Sequence, residues 1–142
     1  MIVVDANVLL YAYDSRSPAH QRCHDWLTEA LNGREQIGLP WQTLLAFIRI
    51  STNARAFRVP LSGGAACAIV SQWLAQPPVV VVSPGERFWP IFEEQVKRAQ
   101  IVGPLVTDAA LAALAIESGA ALCSTDRDFR RFDALKLIDP MR

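Results

Sequence analysis

The sequence predicts an α/β fold, a parallel β-sheet of about five strands covered on both faces by helices. Three observations predict it. Short apolar runs alternate with longer segments of helical periodicity along the whole chain. Runs such as Ile2-Val3-Val4 and Val79-Val80-Val81-Val82 are continuous, the pattern of strands buried on both faces. The chain has 142 residues, 51% of them hydrophobic, which suits one domain (residues 1–142) with a real core.

The elements follow in order. Residues 2–5 form a greasy strand that ends in the carboxylate of Asp5, with Asn7 and the apolar segment Val8-Leu9-Leu10-Tyr11 behind it. Residues 18–31 place Cys23, Trp26, Leu27, Ala30 and Leu31 at helical spacing and stop at Asn32-Gly33. Residues 36–39 are a short second strand. A helix over residues 41–52 starts after Pro40, and another runs from a Ser62 cap to Leu74.

Pro77-Pro78 breaks the chain before the third strand, residues 79–82. Ser83-Pro84 has the form of an N-cap and first helical position, leading into a helix over residues 86–99 that Pro90 disturbs. An Ala- and Leu-rich helix covers residues 108–118 and ends at Gly119. Residues 121–124 are the fourth strand and residues 136–138 a weak fifth. Trp26 and Trp73 fall on apolar helical faces and are expected in the core.

Composition excludes several function classes. Formal net charge is zero, so the chain is not a broadly basic nucleic-acid binder, although a local basic rim is compatible with it. No run of 18 apolar residues predicts a membrane span, and the N-terminus lacks a basic, cleavable leader. Cys23, Cys67 and Cys123 are odd in number and form no CxxC pair, which points to reduced, core-filling thiols in a cytoplasmic protein.

The acids carry the functional signal. Asp5 ends the first strand, and Asp126 and Asp128 follow the fourth in Cys123-Ser124-Thr125-Asp126-Arg127-Asp128. Ligands of open parallel sheets bind at the carboxyl ends of the strands, where strand order reverses. If the first and fourth strands flank that crevice, Asp5 and Asp126 converge. Asp108 lies in the first turn of a helix, where an acid also interacts favourably with the helix dipole. Crowded carboxylates need a counter-charge. A hard divalent cation with oxygen ligands supplies it, and such an ion lowers the pKa of bound water and neutralises a phosphoryl oxygen. His20 and His24 share a helix face but lack a zinc-protease context, and the phosphate-binding and dinucleotide-binding glycine loops are absent. Mg²⁺- or Mn²⁺-assisted phosphodiester chemistry is what these residues support.

The segments Val4-Asp5-Ala6-Asn7-Val8-Leu9-Leu10-Tyr11, Val106-Thr107-Asp108-Ala109 and Cys123-Ser124-Thr125-Asp126-Arg127-Asp128-Phe129 together resemble a PIN-domain ribonuclease. The similarity spans essentially the whole chain and is greatest to VapC-type toxins of toxin–antitoxin pairs, the mycobacterial kind in particular. It implies a PIN-like three-layer sandwich and metal-dependent cleavage of cellular RNA. It also implies inhibition by a VapB-type antitoxin and a homodimer. Carried onto this chain, the resemblance makes Asp5, Asp108 and Asp126 the Mg²⁺ or Mn²⁺ ligands, with Asp128 supporting or ligating. Asn7, Thr107 and Thr125 take the polar positions that orient them. Many members of the family carry a glutamate where this chain has Ala46, which implies that Asp128 compensates, that a single well-held metal suffices, or that the protein is weakly active or only binds RNA or a partner.

Arg49, Arg55 and Arg58 cluster at the end of the predicted helix over residues 41–52 and in the loop after it, and Arg127, Arg130 and Arg131 flank the last acids. Both groups are candidates for contacting RNA phosphates, with Trp41 or Phe57 stacking a base. A phosphatase with an aspartyl nucleophile is the rival enzyme class. It requires a second acid where Asn7 stands, and no downstream lysine matches.

Overall fold

A computed structural model describes all residues, Met1–Arg142. Five strands form one wholly parallel sheet: β1 (Ile2–Val4), β2 (Ile37–Pro40), β3 (Val79–Val82), β4 (Ala121–Cys123) and β5 (Lys136–Ile138). Their spatial order is β3-β2-β1-β4-β5, so the chain builds outward from β1 and then returns to its other side. The order reverses between β1 and β4. Val4 is in register with Cys123, which ends these two strands at the same level.

Six α-helices cover the sheet: α1 (Ala6–Tyr13), α2 (His20–Leu31), α3 (Trp41–Ser51), α4 (Gly63–Leu74), α5 (Phe88–Arg98) and α6 (Leu105–Glu117). A short 3₁₀ turn, Arg127–Arg131, follows β4. Alternation along the strands divides the core in two. Val4, Ile37 and Leu39 pack with α1 to α4 around Phe47 and Trp73. Val3, Val82 and Leu122 pack with α6, Phe129 and Phe132 on the opposite face. The result is the three-layer sandwich that the sequence predicts.

Three local expectations change. The helix α1 is absent from the sequence-based reading because it is buried nearly all round, at Ala6, Val8, Leu9, Leu10 and Ala12, and has no polar face to set a period. Ser83-Pro84 does not cap α5, which begins at Phe88. The carboxylate of Glu117 instead ties down this connection, accepting from the backbone N–H of Gly85 at 2.7 Å and of Arg87 at 2.9 Å. Pro90 then falls in the first turn of α5, where its missing N–H has no intrahelical partner to lose. Of the cysteines, Cys23 and Cys123 fill the core, whereas Cys67 is exposed on α4. Trp73 is buried and Trp26 packs partly buried against the same core.

Gly38 sits in the middle of β2 beneath the second core. A Cβ there would lie 2.6 Å from Val82 Cγ2 and 3.2 Å from Val3 Cγ2, both on stiff β-branched side chains. Gly38→Ala is expected to lower stability by about 1–3 kcal/mol through overpacking, checked by urea denaturation.

Candidate active site

The carboxyl ends of β1 and β4 open into a cleft of about 560 Å³ walled by α3 and α6. Asp5 caps α1 from the end of β1, its Oδ1 accepting the Ala6 N–H at 2.7 Å. One residue thus ends the strand, starts the helix and faces the cleft. Asp108 reaches the cleft from the first turn of α6. Asp126 caps the 3₁₀ turn after β4, accepting the Asp128 N–H at 2.8 Å.

Oxygens of Asp108, Asp126 and Asp128 lie within 4.8 Å of one another. Asp5 stands outside that tightest set but within its field. Burial raises the Asp5 carboxyl above the ordinary range, the hydrogen bonds from Ser124 and Ala6 oppose that rise, and Asp126 adds to it. Asp108 is pushed up to about 6, first by burial, then by Asp126, Asp5 and Asp128, with Arg131 pulling the other way. Arg131 pairs with Asp128 at 3.3 Å. Such an all-oxygen, mutually repelling set fits a hard divalent cation.

Ser124 joins these acids and is the residue that the sequence reading missed. Its buried hydroxyl donates to Asp5 Oδ2 at 2.7 Å and accepts from the Asp126 N–H at 3.0 Å. Asn7 spans the same junction, its Nδ2 donating to Ser124 Oγ at 3.2 Å and its Oδ1 accepting from the Thr125 N–H at 3.3 Å. The only available signal was a serine between a strand and an acid, which many turns share. Ser124→Ala strips one partner from each of Asp5, Asn7 and Asp126. It is expected to weaken divalent-cation binding about 10–100-fold, measured by calorimetry.

The other polar candidates divide. Thr125 enters the network through its backbone, and the Thr107 hydroxyl turns back to the Pro104 carbonyl at 3.2 Å. The Thr107 carbonyl accepts from Gln42 Nε2 at 2.9 Å, bracing α3 against α6 across the cleft. Buried Thr43 donates to the Val4 carbonyl at 2.8 Å, which anchors α3 to the end of β1. Ala46 lines the cleft beside these residues.

The arginines separate as well. Arg49 lines the cleft, while Arg58 borders a different depression with Tyr13 and Arg16. Arg55 and Arg127 are exposed, the first in the loop after α3 and the second in the 3₁₀ turn. Trp41 is 52% exposed at the start of α3, whereas Phe57 packs against the core.

The PIN-domain profile matches residues 2–135. Ribonuclease VapC33 of Mycobacterium tuberculosis is 41% identical over 142 residues, covering 100% of this chain and 99% of that protein. Ribonuclease VapC37 of the same organism is 41% identical over 99% of this chain and 97% of its own length. Among solved structures, VapBC-1 of nontypeable Haemophilus influenzae shares the fold at a TM-score of 0.72 and 16% identity, covering 100% of both chains. The M. tuberculosis toxin VapC20, described as cleaving the sarcin–ricin loop, superposes at a TM-score of 0.63 with 17% identity over 92% of this chain and 93% of its own.

Proposed function

This chain belongs to the PIN-domain family of VapC ribonucleases, and from that premise we propose that it is a divalent-metal-dependent endoribonuclease acting as the toxin of a toxin–antitoxin pair. The carrying observation is the gathering of Asp108, Asp126 and Asp128 within 4.8 Å at the sheet edge where strand order reverses, with Asp108 and Asp5 also lining the cleft. Asp5, Asp108 and Asp126 hold the cation, Mg²⁺ or Mn²⁺, with Asp128 next to them. When bound, the cation supplies Lewis acidity to the attacking water and to the scissile phosphate.

The protein's own groups do the rest. Asn7 and Ser124 keep the Asp5 carboxylate fixed relative to Asp126. Asp128 Oδ1 is paired to Arg131, which leaves Oδ2 to take a proton from the attacking water. Arg49 lies in the cleft to meet an RNA phosphate. Arg55, Arg58 and Arg127 are exposed and serve, on this reading, as an outer set of phosphate contacts. The 560 Å³ cleft accommodates an unstacked nucleotide, in keeping with a single-stranded or looped RNA substrate.

Relatives at 41% identity over the full chain carry the name ribonuclease, which favours cleavage over RNA binding alone despite Ala46. The same membership supports a VapB-type antitoxin as partner and a homodimer. Exposed Trp41, Leu45 and Val106 on the helices that wall the cleft offer apolar surface to a partner chain. No helix is long and apolar enough to cross a membrane.

Incubating the purified protein with structured RNA tests the reaction. Discrete cleavage is expected with Mn²⁺ or Mg²⁺, lost in EDTA and restored by excess cation. Intact RNA under every divalent ion, with the protein folded, would overturn the enzymatic reading.

A further inference from the structure

Away from the acidic cleft, α2 carries a pair of histidines. His20 and His24 stand one helical turn apart on α2, their ring centroids 5.5 Å from each other and their planes tilted by 39°. His20 Nδ1 lies 2.9 Å from the Tyr11 carbonyl oxygen. A carbonyl only accepts, so the proton is on Nδ1 and the lone pair on Nε2. His24 Nδ1 lies 3.5 Å from Asp25 Oδ1, and that carboxylate is itself held by Gln21 Nε2 at 2.8 Å. His24 thus turns Nδ1 toward the Asp25 carboxylate.

His20 therefore has Nδ1 tied to an oxygen acceptor and Nε2 left over, the arrangement by which metal-bound histidines are oriented, and His24 stands one turn away on the same face. His24 is 53% exposed, which leaves room for water to complete a four-coordinate shell. We infer that His20 and His24 form a second metal site, taking a late first-row divalent ion such as Zn²⁺ through their two Nε2 atoms.

This site is separate from the acidic cleft in place and in chemistry. Asp5 caps one end of α1, and the Tyr11 carbonyl that orients His20 belongs to its last turn. Six residues of helical rise put these two points about 9 Å apart along the α1 axis. Imidazole pairs select zinc, nickel and copper, whereas the all-carboxylate cleft suits magnesium and manganese. An ion bridging the pair closes one turn of α2 and stabilises the folded chain by linkage. Nothing in this inference depends on ribonuclease activity.

Zn²⁺ alone is the probe, added to the Cys67→Ser protein so that no exposed thiol competes, with saturating Mg²⁺ to fill the carboxylates. One equivalent is expected to bind, moving the Nε2 resonances of both histidines in ¹⁵N NMR and raising the melting temperature. His24→Ala, a change at an exposed residue, should weaken this binding at least about tenfold while leaving melting in EDTA unchanged. Asp126→Asn should leave it intact. Zinc affinity unaltered in His24→Ala, or histidine resonances that stay in place on zinc addition, would overturn the inference.

Discussion

Asp5→Asn is expected to cut RNA cleavage by about 100- to 1,000-fold or more while the fold survives. The substituted amide keeps an oxygen for the Ala6 N–H, so α1 remains capped. It loses the charge that the cleft presents to a cation. It also presents an N–H₂ group in place of one carboxylate oxygen, so the Ser124 hydroxyl must turn to accept rather than donate. Unchanged circular dichroism with abolished cleavage is the expected pair of readings. Cleavage within tenfold of the parent at saturating Mn²⁺ would remove Asp5 from the reaction.

Asp108→Asn should show the opposite movement of activity and stability. Cleavage falls by a comparable factor, because another of the acids in the cleft is neutralised. The metal-free protein, however, should become more stable at pH 7.5. Asp108 titrates at about 6 in the folded chain against 3.8 as an ordinary aspartate. A folded pKa raised in this way contributes stability below pH 3.8 that is lost as pH rises through about 6. Asparagine stays neutral throughout and escapes that loss. The site is open to solvent and counter-ions, so the gain is discounted to about 1 kcal/mol, or about 3–4 °C in Tm. Below pH 4 the difference should vanish, and saturating Mg²⁺ should reverse its sign. Thermal melts of both proteins across pH, with and without Mg²⁺, check all three.

The opposing effects at Asp108 have one cause. Like charges are held together by a scaffold that does not relax, since Asp5 is tied to the end of β1 and Asp126 to the end of β4. Such repulsion costs stability without the cation and creates affinity for it.

The sequence by itself determined the strands, their parallel class and the acids at their ends. These are local properties: continuous apolar runs, turn residues and the abrupt change from Val4 to Asp5 are set by neighbours along the chain. It also carried the ordered set of motifs that marked the family. It did not show α1, whose nearly uniform apolar surface has no helical period to detect, nor the start of α5, which a glutamate 30 residues away helps to position. Tertiary structure alone decided how the acids meet. Placing Asp128 rather than Asp5 in the tightest trio, making Ser124 the junction between residues 5 and 126, and sending Arg49 into the cleft while Arg58 goes elsewhere are all long-range outcomes. Asp5 and Ser124 are 119 positions apart, and only the pairing of β1 with β4 brings them to hydrogen-bonding distance.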